Sequence, residues 1–92
     1  MRLVLIEWLD SYGCSSQWQD LQGASPAPLT CKSVGWLVHD ADDCKVVVPH
    51  ISNGEHPNLP QQGCRDMTIP SLAILKIVDL AVAEGAHPTC RG

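Results

Sequence analysis

The stretch GWLVHDADDCKVVVPH, residues 35–50, decides the fold of this 92-residue chain. It holds two apolar, strand-like runs that are separated by the acidic segment DADD at 40–43. Aspartate favours turns because its short side chain accepts hydrogen bonds from nearby backbone amides. Two strand-like runs this close in sequence pair as an antiparallel hairpin. The stretch therefore predicts strands over 31–39 and 44–51, joined by a tight polar turn.

The second run of this hairpin, KVVVPH, carries its valines consecutively rather than in alternation with polar residues. A strand with one solvated face alternates, so consecutive valines indicate a strand that is covered on both faces. Pro49 has no backbone N–H for a ladder hydrogen bond. We therefore expect Pro49 to end the strand or to lie at an edge of the sheet.

The flanking segments predict one more strand and two long loops. Residues 2–9, RLVLIEWL, are rich in strand formers and end at a turn-forming segment. Residues 14–29 are rich in Ser, Gln, Gly and Pro, and we expect a long ordered loop in which Trp18 is held against the body. Residues 52–65 predict a second, more exposed loop, and 81–92 a flexible C-terminal tail.

The segment MTIPSLAILKIVDL, residues 67–80, allows two interpretations. Proline is accepted in the first turn of a helix, and the Leu and Ala content of 71–84 suits a C-terminal helix, which would make the fold α+β. Against the helix, its apolar residues would cover nearly the whole circumference, and the density of Ile and Val favours a strand. We predict a turn at 70–73 and a strand over 74–80, and hence an all-β fold.

Composition and charge argue against several classes of function. The formal net charge is −4, and no two of the six Lys and Arg residues are adjacent. Because nucleic-acid binding depends on clustered positive charge, we expect no nucleic-acid partner. No apolar run is long enough for a signal peptide or a membrane span, so we expect a cytoplasmic protein without membrane contact.

The five cysteines are an odd number and form no C-x-x-C pair. A disulfide framework needs an even number of cysteines in an exported chain. We therefore expect reduced thiols, with cysteine pairing as the disfavoured alternative.

The order of these elements resembles that of small bacterial and phage-encoded proteins with an SH3-like barrel. The matching residues are Gly35, Trp36, Ile69, Pro70 and Ile74. The first two belong to a GW-type strand before a tight acidic turn, and the others to an I-P-x-x-x-I segment before the closing strand. The resemblance covers 2–80 and implies one antiparallel barrel domain of about five strands over 1–80, with a long first loop. It implies no activity, because fold does not determine function.

No local catalytic motif is present, and we expect a protein that is not an enzyme. SH3-like barrels that bind peptides line a groove with aromatic residues from the long first loop and the hairpin. This implies a protein-binding module, whose candidate contacts are Tyr12, Trp18, Asp40, Asp42 and Asp43. Trp8 and Trp36 lie inside predicted strands, and we expect both in the core.

A metal- or redox-responsive protein is the alternative function. Its candidate ligands are His39, Cys44 and His50, with His56 and Cys64 as further Cys and His residues nearby. Zinc sites usually take their ligands as two close pairs, which are absent here, so our main prediction includes no cofactor. An EF-hand loop that began at Asp40 fails, because its sixth and twelfth positions hold Lys and Ile.

The oligomeric state is open between a monomer and a weak homodimer, because an exposed edge strand can pair with a second copy. The partner protein is not identified by the sequence. RNA binding of the Sm-like kind is a third function that a barrel allows, and the negative net charge opposes it.

Overall fold

A computed structural model describes residues 1–13, 17–18, 20–23, 27–53 and 60–83. The strands are β1 (Arg2–Asp10), β2 (Leu29–Asp40), β3 (Cys44–Val48), β4 (His50–Ile51), β5 (Gly63–Cys64), β6 (Met67–Pro70) and β7 (Ile74–Asp79). Short 3₁₀ helices occupy Leu21–Gly23 and Ser71–Ala73, and the described residues contain no α-helix. The all-β prediction is confirmed. The alternative of a C-terminal helix is wrong for 74–79, where the branched side chains form β7.

Five of the strands make one antiparallel sheet in the order β6–β3–β2–β1–β7, and β4 and β5 form a separate two-stranded arm. β6 and β7 lie at opposite edges of the sheet, yet only Ser71–Ala73 separates them in sequence. Consecutive Cα atoms are about 3.8 Å apart, so Pro70 and Ile74 are at most about 15 Å apart. The sheet must therefore curl until its edges approach each other. No β6–β7 ladder closes it in the described part of the chain.

The predicted hairpin of residues 35–50 forms from β2 and β3. The Ala41 N–H donates to the Cys44 carbonyl oxygen at 3.1 Å and closes the turn. The register shifts between Leu37 and His39, which makes Val38 the extra residue of a β-bulge. β3 ends at Val48, immediately before Pro49, as expected for a residue without an N–H.

The core lies on one face of the sheet, which we call the inner face. It consists of Val4, Ile6, Leu37, Val47 and Ile69, with Trp8, Ala73, Ile74 and Ile77 packed against it. Trp8 is placed as predicted, and its indole Nε1–H donates to the Ser33 hydroxyl oxygen at 3.0 Å. Trp36 is not in this cluster, because it neighbours the inward Leu37 in the same strand and points to the opposite, outer face.

One predicted loop segment differs from the expectation, and the predicted C-terminal tail is described only in part. The loop predicted over 52–65 contains β5, which pairs with β4 to make the arm. Of the tail predicted over 81–92, residues 81–83 are exposed and without regular structure, and 84–92 lie outside the described residues.

None of the helices in the described part of the chain is long and apolar enough to cross a membrane.

Candidate functional site

The acidic turn of the β2–β3 hairpin is partly neutralised by its own surroundings. Asp40 forms an ion pair with Lys45 and a second one with Arg2, whose Nη1 lies 3.5 Å from the Asp40 Oδ2. The hydrogen bond from Lys45 holds the pKa of Asp40 below its ordinary value, and the charges of Lys45 and Arg2 add to this. The half-exposed Asp40 carboxylate therefore forms ion pairs within the fold. The other predicted contacts of the turn, Asp42 and Asp43, are also exposed.

The backbone of this turn is fixed by the 3₁₀ helix that follows β6. The Ser71 N–H donates to the Asp43 carbonyl oxygen at 2.9 Å. The Ala41 carbonyl oxygen accepts hydrogen bonds from the Lys45 Nζ at 2.8 Å and from the Ser71 hydroxyl at 3.4 Å. Hydrogen bonds from Lys45 and Ser71 thus fix the backbone of the turn, and this backbone sets where its side chains project.

Three possible metal-ligating side chains meet at the hairpin tip. One ligand atom each from His39, Asp43 and Cys44 lies within 4.8 Å of the other two. The bulge at Val38 contributes, because it places His39 opposite Val46, one pair before the end of the ladder. Burial raises the pKa of the Cys44 thiol, and the carboxylate of Asp43 raises it further.

The sequence-based ligand set of His39, Cys44 and His50 is thus brought together only in part. His50 lies beyond Pro49 in β4, where it pairs with Cys64, and it belongs to no group of three potential ligands among the described residues. His56 lies outside the described residues. The residue that the sequence-based prediction missed is Asp43, although carboxylates are ordinary zinc ligands and it directly precedes Cys44.

The outer face of the sheet carries apolar side chains in cross-strand rows. One row pairs Leu3 with Trp36 and is extended by Leu80, whose N–H donates to the Leu3 carbonyl oxygen at 2.8 Å. The next row places Leu5 between Val34 on β2 and Val78 on β7. We call these residues the outer patch: Leu3, Leu5, Val34, Trp36, Val78 and Leu80.

The outer patch is open to solvent and has a charged border. Val34 is 53% exposed, and Val78 and Leu80 are each 36% exposed. The following cross-strand row places Glu7 between Lys32 and Lys76. The Lys32 Nζ lies 3.6 Å from the Glu7 carboxylate, which leaves Lys76 as the second positive charge along this border.

A groove continues the outer face beneath the arm. Its volume is about 320 Å³, and its lining includes the apolar Val38, Val46 and Val48 and the polar Gln62 and Asp66. Val48 is 4% exposed although it is not part of the core. The arm covers it closely, since a Cβ added at Gly63 would lie 2.7 Å from the Val48 Cγ1.

The two predicted aromatic contacts in or beside the first loop are exposed, Tyr12 by 47% and Trp18 by 104%. The expectation that Trp18 is held against the body is wrong. Leu21, an apolar residue of the same segment, is itself 88% exposed, so the described residues of this segment offer the indole no buried apolar surface to pack on.

Comparisons with protein-family models, with curated proteins and with solved structures find no match to this chain.

Proposed function

We propose that this chain is a small, non-catalytic module that binds another protein through its outer patch. The observation that carries the proposal is the exposure of this patch across three neighbouring strands. A contiguous apolar surface rimmed by polar residues marks interaction sites more often than isolated exposed residues do. Valine, leucine and tryptophan on a pleated face form a firm surface with little side-chain entropy to lose on binding.

The proposal includes an SH3-like arrangement of the fold. The antiparallel order β6–β3–β2–β1–β7 and the single 3₁₀ turn between the two edge strands support the resemblance to small bacterial and phage-encoded barrels. Such folds present binding surfaces on a rigid sheet. In this chain the surface is the outer patch together with the groove beneath the arm.

The charges around the patch indicate the chemistry of the partner. Along the border, Lys32 and Lys76 flank the single carboxylate of Glu7, so the local charge is positive. A partner with an apolar centre and acidic residues at one side complements this arrangement. The groove of about 320 Å³ lies at the lower limit of ligand pockets and accommodates one apolar side chain of the partner.

The exposed loop aromatics provide a second contact region. Trp18 presents its whole indole to solvent, and tryptophan is among the residues that contribute most to protein interfaces. We assign Tyr12, Trp18 and the exposed carboxylates Asp42 and Asp43 to the periphery of the interaction. Asp40 has its charge satisfied within the fold and contributes less.

The proposal is tested by placing a charge in the patch and, separately, outside it on the same face. Val34→Glu puts a carboxylate in the apolar row, whereas Thr30→Glu puts one on β2 at an exposed position beyond the charged row. Both variants are compared with the wild type in affinity capture from a lysate, read by quantitative mass spectrometry. Circular dichroism establishes that each variant keeps its β structure.

We expect Val34→Glu to lose the captured partner and Thr30→Glu to retain it. Trp18→Ala should weaken capture without abolishing it. Capture of the same proteins by Val34→Glu and by the wild type would overturn the proposal. A wild-type homodimer that Val34→Glu dissociates, measured by sedimentation, would instead assign the patch to a second copy of the chain.

A further inference from the structure

The hairpin tip offers three chemically different metal ligands at one point. An imidazole nitrogen from His39, a carboxylate oxygen from Asp43 and the sulfur of Cys44 lie within 4.8 Å of one another. From this juxtaposition we propose that the tip binds one divalent transition-metal ion, with zinc as the best match. This inference is independent of the outer patch and of any protein partner.

The spacing of the ligand atoms is close to that of an occupied site. Zinc bonds of 2.0–2.3 Å at tetrahedral angles place ligand atoms about 3.3–3.8 Å apart. The observed limit of 4.8 Å requires a contraction of up to about 1.5 Å, which side-chain rotation supplies. His39 and Asp43 are exposed, whereas Cys44 is partly buried and defines the inner corner of the site.

The backbone of the site is prepared for binding, which lowers its entropic cost. The carbonyl groups of Ala41 and Asp43 are held by Ser71, from the 3₁₀ helix that directly follows β6, the strand paired with β3. The Lys45 ammonium is held by Asp40 and by the Ala41 carbonyl oxygen. Metal binding therefore orders only the side chains of His39 and Asp43, not the turn itself.

The ligand types select the class of metal. Thiolate and imidazole suit zinc, cobalt, nickel and copper, whereas calcium and magnesium require oxygen ligands and higher coordination numbers. When the metal–sulfur bond forms, the S–H bond of Cys44 breaks and its proton passes to solvent, with no change of oxidation state. Three protein ligands at an exposed tip leave the fourth position to water or to a ligand from a bound molecule.

The test uses the full chain without a histidine tag, kept reduced by a phosphine, and titrated with cobalt(II) as a spectroscopic substitute for zinc. Cobalt bound by a thiolate gives a sulfur-to-metal charge-transfer band, and zinc displaces it. The variants Cys44→Ser, His39→Asn and Asp43→Asn remove one ligand each. The matched controls His50→Asn and Cys64→Ser remove the same residue types from the arm.

We expect Cys44→Ser to lose the charge-transfer band, and His39→Asn and Asp43→Asn to bind about tenfold more weakly or worse. His50→Asn and Cys64→Ser should bind as the wild type does. In NMR spectra, zinc should shift the amides of 39–45 and leave those of β1 unchanged. Wild-type affinity in both His39→Asn and Asp43→Asn would overturn the proposal, as would loss of binding in either arm variant. His39 and Asp43 are exposed, so these two variants keep the fold even if Cys44→Ser does not.

Discussion

Val47 and Val48 are consecutive residues of β3, and both are buried, but they are covered from opposite sides of the sheet. Val47 is 3% exposed and belongs to the core with Leu37 and Ile69. Val48 is 4% exposed and lies outside that core, beneath Gly63 of the arm. Successive side chains of a strand point to opposite faces, so a strand buried on both faces needs two separate layers to cover it. The β4–β5 arm is the second layer.

The two valines should therefore respond differently to truncation. Val47→Ala removes methyl groups from the core and should lower the free energy of unfolding by about 2 kcal/mol. Val48→Ala should lower the free energy of unfolding by less and should loosen the arm, because Val48 lies beneath Gly63 and lines the groove. Hydrogen exchange at Ser52, whose N–H donates to the Gln62 carbonyl oxygen at 2.7 Å, should accelerate in Val48→Ala more than in Val47→Ala. Equal acceleration in both variants would contradict two separate layers.

Gly35 is required by a close approach between backbones. A Cβ at this position would lie 2.9 Å from the Val48 carbonyl oxygen, and backbone atoms cannot rotate away. Gly35→Ala should lower the free energy of unfolding by about 1–3 kcal/mol, measured by urea denaturation. Gly23→Ala is the matched control, since its Cβ would meet nothing within 4 Å. A control variant as unstable as Gly35→Ala would show that the approach to Val48 is not the cause.

The ion pairs of Asp40 should make stability depend on pH in the acid range. Because Lys45 lowers the pKa of Asp40 in the folded state, the charged form stabilises the fold. The contribution is complete above the unfolded-state pKa of about 4 and is lost as the pH falls through the lower, folded-state pKa. Asp40→Asn should be less stable than the wild type at neutral pH, and the difference should shrink below about pH 4.

This difference should also shrink with added salt, because the carboxylate is half exposed and its pairs are screened. Asp42→Asn removes a carboxylate of the same turn but leaves the Asp40 ion pairs in place, so it serves as the control and should keep their contribution to stability at neutral pH. Denaturation curves at several pH values measure all three proteins. A difference between Asp40→Asn and the wild type that stays constant down to acid pH would refute the assignment to these ion pairs.

The described thiols should differ in their rates of alkylation. Burial and the carboxylate of Asp43 raise the pKa of Cys44, so less of it is thiolate at mildly alkaline pH. Cys64 is exposed. Iodoacetamide labelling followed by peptide mass mapping should therefore modify Cys64 before Cys44. Asp43→Asn should accelerate labelling at Cys44 alone; if Cys44 instead reacted first in the native wild type, the raised pKa would be refuted.

Local sequence patterns predicted the elements of this fold but not their arrangement. The hairpin of 35–50, the break at Pro49 and the strand at 74–79 follow from turn-forming aspartates, the missing proline N–H and β-branched side chains. The pairing of β7 with β1 joins segments about seventy residues apart, and no local pattern encodes it. For the same reason the sequence did not show that Trp36 faces outward.

The candidate sites divide in the same way. The sequence by itself determined that a rigid acidic hairpin carries His39 and Cys44 at its ends, because the turn and its flanking strands are local features. Only the tertiary structure decided that Asp43 lies beside His39 and Cys44, whereas His50 lies in the arm and outside this group. The bulge at Val38 sets the position of His39, and the hydrogen bond from Ser71 sets that of Asp43. It also decided that Trp18 is exposed to solvent and that apolar side chains of three strands form the outer patch. Which face a strand buries depends on the layers packed against it, and these come from distant parts of the chain.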